Sequence, residues 1–239
     1  MEIYVGTSGW RYSWNPDGLE WYVRKSGFNA VELNMSFYGF PRERQVERWA
    51  RVGGSLRWVI KVHQSVTHLR KLSEKCLPVL ARFRERFKPL ENSIDLYLLQ
   101  LPPSLSFTDR VWRRVIRIRD EVLGEKTAVE PRHPSWFSGE VERLFNEEGL
   151  VLVTPDSPMF GGLPEGRVFS PRGVVYVRMH GRTEWYAYRY SGEELEEVAR
   201  KIVEAKPKRA YVFFNNNHDM LDNGREMMEI LRRLVSESL

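Results

Sequence analysis

The chain has 239 residues, 42% of them hydrophobic, which is enough to bury the core of one large domain. No apolar run approaches the roughly 20 residues of a membrane-spanning helix, and the N-terminus shows no secretory signal, so we expect a cytoplasmic protein with no membrane contact. The single cysteine, Cys76, excludes an internal disulfide and a CxxC zinc site. The net charge of +5 permits attraction to nucleic acid or to phosphorylated small molecules without requiring either. Abundant Arg and Glu also suit a heat-adapted host.

Short apolar runs rich in β-branched and aromatic residues alternate with segments of helical period along the whole chain. The predicted strands are Ile3–Val5, Ala30–Leu33, Trp58–Val62, Leu96–Leu99, Thr127–Val129, Val151–Val153, Val174–Val177 and Ala210–Phe214. The predicted helices are Glu20–Lys25, Glu43–Arg51, Leu77–Phe87, Arg110–Val122, Gly139–Glu148, Glu193–Glu204 and Gly224–Val235. The stretch 157–172 is rich in Gly and Pro, so we expect one outer helix to be missing after the sixth strand.

The alternation of strands and helices determines the expected fold. Each strand–helix–strand unit places its two strands parallel, with a right-handed crossover. Eight such units favour closure into a barrel over an open sheet. No low-complexity tract or linker interrupts the pattern. We therefore predict an α/β fold, a TIM-like (β/α)₈ barrel that forms a single domain over residues 1–239.

Polar side chains follow the C-terminal end of every predicted strand, whereas the strand starts carry fewer of them. In a barrel these eight ends meet at one mouth, where barrel enzymes place their active sites. The sequence therefore predicts a functional site there. The candidate catalytic residues are Glu32, Glu130, Asp156 and His180. The candidate ligand-binding residues are Trp10, Tyr38, Lys61, Arg132, His133, Trp136, Arg178, Arg182, Asn215 and Asn216.

Two carboxylates stand out among these candidates. Glu130, in the string TAVEPRHPSW, follows an apolar strand and suits a general acid or base, or a metal ligand. Its structural alternative is an ion pair with Arg132 or Arg178. Glu32, in AVELN, is the second carboxylate. Two carboxylates facing each other across a mouth can hydrolyse a glycoside at a suitable spacing, which the sequence does not provide.

The five histidines all fall at or just after a strand end, at positions 63, 68, 133, 180 and 218. Together with the strand-end carboxylates they could provide nitrogen and oxygen ligands for one divalent metal ion. No HxH or HExxH spacing supports such a site. Neutral hydrogen-bonding roles fit the same pattern, so both alternatives stay open.

Lys61 lies within the predicted strand WVIKV, flanked by apolar residues. A buried lysine needs a partner, so we favour an ion pair with Glu32 or Glu130. The functional alternatives are a phosphate contact and a Schiff base.

Three arginines near the same mouth, Arg132, Arg178 and Arg182, suggest an anion cradle, since guanidinium binds phosphate or carboxylate bidentately. The asparagines at 215–217 add neutral donors and acceptors beside them. Aromatic residues are frequent in the loops after several strands and could stack on bases or sugar rings. Their structural alternative is a set of lids packed over the top of the barrel.

The strings VGTSGWRYSW, VELNMSFYGFP, LLQLPPS, AVEPRHPSW, VYVRMHGR and YVFFNNNHDMLDN occur in this order. On these strings the chain resembles the YecE-like family, domain-of-unknown-function family 72, from about Ile3 to the last helix. The resemblance implies a TIM-barrel-like fold with some similarity to barrels of the apurinic endonuclease IV type, and so favours nucleic-acid or phosphodiester binding. It also implies the site residues Glu130, Arg132, His133, His180, Arg182, Asn215 and Asn216.

Three functional hypotheses follow. In the first, the mouth binds a phosphate-bearing ligand such as DNA or RNA and hydrolyses a phosphodiester in the manner of an endonuclease. Glu130, Asp156 and His180 would then handle protons or one metal ion, and the three arginines would hold the anion. In the second, the protein is a sugar or sugar-phosphate isomerase, aldolase or hydrolase with Glu32 and Glu130 as its acid/base pair. The third is a non-catalytic ligand-binding barrel. The substrate and the oligomeric state stay open.

Overall fold

A computed structural model describes residues 1–237 and shows a barrel of eight parallel strands with α-helices outside it. The strands are β1 (Glu2–Thr7), β2 (Ala30–Leu33), β3 (Arg57–Lys61), β4 (Ile94–Gln100), β5 (Thr127–Glu130), β6 (Val151–Asp156), β7 (Val174–Met179) and β8 (Arg209–Phe214). The α-helices within these residues are α1 (Leu19–Lys25), α2 (Glu43–Gly53), α3 (Leu77–Arg86), α4 (Asp109–Ile118), α5 (Gly139–Glu147), α6 (Gly192–Glu204) and α7 (Met220–Glu237).

The strands pair in the order β1-β8-β7-β6-β5-β4-β3-β2. The two ends of this order, β1 and β2, meet through one parallel bridge between Ser8 and Glu32, so the barrel is nearly closed. The predicted TIM-like (β/α)₈ fold is confirmed. In the described part of the chain, two short 3₁₀ turns, Pro164–Gly166 and Pro171–Gly173, occupy the connection from β6 to β7 in place of an α-helix. The expected missing outer helix is therefore confirmed as well.

Local sequence signals define the helix ends. Thr108, Ser138 and Ser191 each accept a hydrogen bond from a backbone N–H of the first turn of α4, α5 and α6. The predicted helix Arg110–Val122 is α4 followed by a π-helical turn, Arg119–Leu123. α7 begins four residues earlier than the predicted Gly224. None of the helices in residues 1–237 is long and apolar enough to cross a membrane.

Side chains join β1 to β2 where regular strand pairing is missing. Asn29, just before β2, accepts a hydrogen bond from the Val5 N–H at 3.0 Å and donates one to the Ile3 carbonyl at 2.7 Å. The hydroxyl of Tyr22, from α1, donates to the Ala30 carbonyl at 2.9 Å. These bonds satisfy backbone groups that a continuous ladder would otherwise pair.

Gly6 allows β1 and β2 to approach closely at this seam. A Cβ atom added to Gly6 would lie 2.1 Å from the Ala30 carbonyl oxygen, far inside van der Waals contact. The seam therefore requires glycine at this position for steric reasons.

A small apolar cluster fills the barrel interior. The two-residue repeat of the strands explains why charged side chains lie above it at the mouth. The cluster comprises Ala30, Val59, Leu96, Leu98, Ala128, Val151, Val153, Tyr176, Tyr211 and Phe213. Alternate residues of a strand point to the same face, so the next inward residue lies two positions further along. Glu32, Lys61, Glu130 and Arg178 all occupy such positions, and all are buried. The strand period therefore gathers four charged side chains above an apolar layer.

Candidate functional site

Arg178 is the central side chain of the mouth. Its Nε and Nη2 donate to the two carboxylate oxygens of Glu32 at 2.8 and 2.5 Å, and its Nη1 donates to Glu130. All three side chains are fully buried. Burial alone would lower the pKa of Arg178, but the carboxylates of Glu130 and Glu32 hold it well above its ordinary value. One guanidinium therefore stabilises two buried negative charges.

Glu32 is further held by hydroxyl groups. Ser8, just after β1, donates to one of its oxygens at 2.6 Å, and Tyr176 of β7 donates to the other. Each oxygen of Glu32 thus accepts bonds from both Arg178 and a hydroxyl. Both oxygens are occupied by donors of the protein, which argues against the predicted pairing of Glu32 and Glu130 as general acid and base.

Glu130 binds two further groups at its other oxygen. Arg132 Nη2 lies 2.7 Å from Oε1, and His180 Nε2 lies 3.0 Å from the same atom. Burial would raise the pKa of Glu130, but Arg132 and Arg178 hold it well below its ordinary value. Glu130 therefore stays ionised and serves as an anchor for cations.

His180 is the neutral member of the arrangement. Burial, reinforced by Arg132 and Arg178, lowers the pKa of His180 to about 3. The side-chain amide nitrogen of Asn215 lies 3.4 Å from Nδ1. Nε2 lies 3.0 Å from both Glu130 Oε1 and Arg132 Nη2, so its role depends on the tautomer: a protonated Nε2 donates to Glu130, and an unprotonated Nε2 accepts from Arg132.

Lys61 stands apart from these ion pairs. Only 6% of the residue is exposed, and its Nζ lies 4.2 Å from the centre of the Phe37 ring. No carboxylate in residues 1–237 lies within 4 Å of this Nζ, so the predicted ion pair with Glu32 or Glu130 is wrong. Burial, and next the charge of Arg178, lower the pKa of Lys61 to about 7. The carboxylates pair with arginine, because its planar fork can bind two of them at once.

Arg132 has one N–H donor without a hydrogen-bond partner among the described residues. Its Nη2 binds Glu130, but its buried Nε makes no hydrogen bond to the described residues. The guanidinium lies 4.5 Å from the ring centre of Trp185, which also packs against His180. A buried donor without a partner is costly, so Arg132 is suited to a further acceptor.

The charges of these groups do not cancel. We call Glu32, Lys61, Glu130, Arg132, Arg178 and His180 the mouth cluster. Its two carboxylates balance its two guanidinium groups, and its histidine is neutral. A protonated Lys61 therefore gives the mouth cluster one positive charge without a counter-ion.

Asp156 belongs to a second cluster. Tyr190 donates to one of its oxygens at 2.7 Å, and Arg182 lies 3.3 Å from the other. Burial is the main reason that the pKa of Asp156 is raised. Val153 points into the barrel, so the strand period turns Asp156 to the other face. The predicted grouping of the Asp156 side chain with Glu130 and His180 is therefore wrong.

The predicted cradle of three arginines is also wrong. Arg178 is fully buried and bound by two carboxylates, and Arg182 pairs with Asp156 at 3.3 Å and with Glu197 at 3.0 Å. Both neutralise carboxylates within the protein. Arg132 alone of the three retains an unpaired donor.

The two predicted stacking tryptophans lie in the core. Trp136 is fully buried, and its Nε1 donates to the Leu105 carbonyl at 2.8 Å, so its ring has no face open to a ligand. Trp10 packs edge-on against Trp49 and Trp58 and reaches the surface only along a groove. Both rings therefore pack in the core and are not part of a lid over the mouth.

The remaining candidates lie around the mouth cluster in different roles. Asn216 is buried and donates to the Tyr188 carbonyl at 2.8 Å, which fixes the loop after β7. His133 accepts a hydrogen bond from the Ser135 N–H at 3.2 Å and caps the turn after β5. Tyr38 is 71% exposed and free to contact a ligand.

A groove of about 890 Å³ adjoins the barrel seam. The loops after β1 and β2 form it, and Ser8 and Asn34 lie at its edge. Tyr12 and Tyr38 add aromatic surface, while Asn15 adds an amide. The groove thus combines rings with polar groups, as small-molecule sites do.

Sequence reasoning missed Ser8, Tyr176 and Tyr190, whose hydroxyls bind Glu32 and Asp156. The signal for Tyr176 is present in VYVRMH, where it precedes Arg178 by two positions. The period of two places both on the inner face. No comparable signal identifies Tyr190, because it lies in an irregular loop.

The mouth cluster does not fit the single divalent metal ion considered above. No group of three or more His, Cys, Asp or Glu side chains within residues 1–237 is placed to hold a metal. Arg178 neutralises both carboxylates, and the charges of Lys61 and Arg132 would repel a cation.

The fold and the charged mouth define a TIM-barrel protein with a candidate site at the C-terminal strand ends. The family described as "Protein of unknown function DUF72" matches residues 4–238, and the chain belongs to this family. UPF0759 protein YunF of Bacillus subtilis (strain 168) is 25% identical to this chain, and the alignment covers 96% of this chain and 94% of YunF. The resemblance found in the sequence is therefore confirmed.

Solved structures agree with this assignment. The DUF72 family protein TM1631 from Thermotoga maritima MSB8 superposes with a TM-score of 0.79 and 27% identity, covering 99% of this chain and all of that one. A D-tagatose 3-epimerase-like protein has a TM-score of 0.62 at 13% identity, covering 100% of this chain and 99% of that one. The second likeness shows a shared fold alone.

Proposed function

We propose that the protein binds a small phosphate-bearing ligand at the barrel mouth, with Arg132 and Lys61 as its cationic contacts. The observation that carries this proposal is the uncompensated charge of the mouth cluster when Lys61 is protonated. A bound anion would supply the missing counter-charge. Because the surroundings are partly desolvated, the attraction is stronger than in water.

The donors of Arg132 and Lys61 suit the phosphate group. Arg132 has an unpaired Nε–H, which can donate to one phosphate oxygen while Nη2 stays on Glu130. Lys61 supplies a compact point charge. The stacking of Arg132 on Trp185 restrains the guanidinium, so less side-chain freedom is lost on binding.

This geometry favours a small ligand over DNA or RNA. The nucleic-acid hypothesis assigned the phosphate contacts to Arg132, Arg178 and Arg182, and the last two are fully committed to carboxylates of the protein. A nucleic-acid surface also needs a basic stripe that extends beyond the mouth. Binding of nucleic acid therefore has less support than binding of a small phosphate-bearing ligand.

A sugar-phosphate enzyme is the second candidate function, and the groove beside Ser8 favours it. Its tyrosines and amides suit a sugar ring, and the D-tagatose 3-epimerase-like protein shares the fold. Glu32 and Glu130 are both held in ion pairs with Arg178, so we assign the base of this second candidate to Lys61 of the mouth cluster. A lysine with a pKa of about 7 is well placed to accept a proton near neutral pH.

Calorimetric titration with ribose 5-phosphate, ribose and a short single-stranded oligonucleotide tests the proposal. Ribose 5-phosphate should bind wild type and should bind Arg132→Met about tenfold more weakly or worse, because a charge-assisted contact is lost. Arg143→Met is the matched control, since Arg143 is an exposed residue of α5 whose ion pair within residues 1–237 is with Glu147. Circular dichroism verifies that each variant is folded.

The outcomes separate the hypotheses. Equal affinity for ribose and ribose 5-phosphate, or unchanged affinity in Arg132→Met, overturns the phosphate contact. Tighter binding of the oligonucleotide than of the sugar phosphate, with a steep salt dependence, would favour the nucleic-acid hypothesis instead.

A further inference from the structure

Lys61 has the position of a nucleophile. It is the last residue of β3, so its side chain stands at the C-terminal strand ends. Its Nζ forms none of the salt bridges found among the carboxylates of the mouth cluster, and 6% of the residue is exposed. The ring of Phe37 lies against it. A ligand that enters the mouth can therefore meet this amine without first breaking an ion pair.

The charges around Lys61 favour its neutral form. Arg178 from β7 and Arg132 after β5 repel a protonated amine, while Glu130 and Glu32 offset part of this repulsion. His68, in the turn after β3, also lies within electrostatic range. Desolvation and neighbouring cations are the two conditions that make a lysine amine nucleophilic at neutral pH.

We propose that Lys61 condenses with the carbonyl carbon of a phosphorylated aldehyde or ketone to form an imine. This inference rests on the proposed function, because Arg132 would hold the phosphate while the carbonyl meets Nζ. It narrows the ligand class from phosphate-bearing compounds to those that also carry a carbonyl group.

The condensation balances without any oxidant or reductant. The Nζ lone pair attacks the carbonyl carbon, the carbonyl π bond breaks, and one proton passes from nitrogen to oxygen to give a neutral carbinolamine. The hydroxyl then takes a proton from solvent and leaves as water, while the nitrogen lone pair forms the C=N bond. Neutral amine, carbonyl and one proton thus give water and a protonated imine, whose positive charge the phosphate neutralises.

Reductive trapping with cyanoborohydride tests the imine. Wild type is incubated near pH 7 with glyceraldehyde 3-phosphate or with unphosphorylated glyceraldehyde, then reduced and mapped by peptide mass spectrometry. At this pH a lysine of pKa about 7 has roughly a thousand times more neutral amine than an ordinary lysine. We expect modification of Lys61 at least about tenfold above that of exposed Lys75, and protection by inorganic phosphate.

Each result has one meaning. Selective modification of Lys61 by the phosphorylated aldehyde, lost in Lys61→Arg, supports the imine. Equal modification of Lys61 and Lys75 overturns the imine. If ribose 5-phosphate still binds in that case, the proposed phosphate binding is unaffected. Equal modification by both aldehydes overturns the phosphate requirement. Failure of ribose 5-phosphate to bind overturns the proposed function itself. Calorimetry detects that failure, so it is distinguished from a failure of imine trapping.

Discussion

The guanidinium of Arg178 in β7 binds both carboxylate oxygens of Glu32 in β2, across the seam where the barrel closes. β1 and β2 share one backbone bridge, between Ser8 and Glu32. Ser8 also donates to the Glu32 carboxylate. The same side chains that form the charged mouth therefore help to hold the barrel shut, and their structural and functional roles are linked.

Replacing Arg178 with Met should strongly destabilise the protein. The change leaves Glu32 and Glu130 buried without their common partner, and breaking a buried ion pair costs about 3–5 kcal/mol. Urea unfolding followed by circular dichroism measures the loss. Arg143→Met, which removes an exposed pair with Glu147, should leave the unfolding midpoint almost unchanged. A stable Arg178→Met protein would show that the pair does not support the barrel.

Gly6→Ala should destabilise the seam between β1 and β2. The new methyl group would overlap the Ala30 carbonyl, which is backbone and cannot turn aside. Overpacking of this kind costs about 1–3 kcal/mol. Gly139→Ala is the control, since a Cβ there meets no atom within 4 Å. Equal melting temperatures for the two variants would contradict the close approach.

His180 should stay neutral through the physiological range. Its pKa of about 3 in the folded protein lies below the ordinary value of 6.5. The unfolded chain therefore takes up the proton first, and His180 makes the free energy of unfolding fall as the pH drops from about 6.5 towards 3, by at most about 1.4 kcal/mol per pH unit.

Two measurements check the His180 prediction. The imidazole NMR signals of His180 should not move between pH 8 and about pH 5, whereas those of the urea-unfolded chain should titrate near 6.5. His180→Gln should weaken the acid dependence of unfolding between about pH 6 and 4. Titration of His180 near pH 6.5 in the folded protein would show that it is accessible to protons.

The sequence was sufficient to predict the architecture, because the order of strands and helices can be read from the local spacing of apolar residues. Runs such as Val174–Val177 are apolar on both faces, and the Gly- and Pro-rich stretch after β6 is visibly unlike a helix. The position of the mouth followed from the same argument. Strand ends converge in a barrel whatever their contacts are.

The ion pairs between the charged side chains of the mouth could not be predicted from the sequence. Arg178 and Arg182 carry the same charge and lie four residues apart, yet one is inside the barrel and the other binds Asp156 outside it. Lys61 lacks a partner because arginine takes the carboxylates that it was expected to bind. Trp136 looks like a loop residue in the sequence, but tertiary packing buries it. Such choices depend on three-dimensional distances.

Proton uptake on ligand binding shows directly whether Lys61 becomes charged when a phosphate binds beside it. An anion beside Lys61 favours its charged form and raises its pKa above about 7. At pH 8 the free protein holds Lys61 mostly neutral, and a phosphate ester with a second pKa near 6 is already a dianion. Binding should therefore take up as much as about one proton, and affinity should fall as the pH rises above about 7.

Calorimetry with ribose 5-phosphate in two buffers of different ionisation heat gives the number of protons taken up on binding. We expect proton uptake at pH 8 in wild type and in Lys75→Met, and its loss in Lys61→Met. Binding without proton uptake, or equal uptake in Lys61→Met, would contradict the claim that the uncompensated charge of Lys61 receives the phosphate.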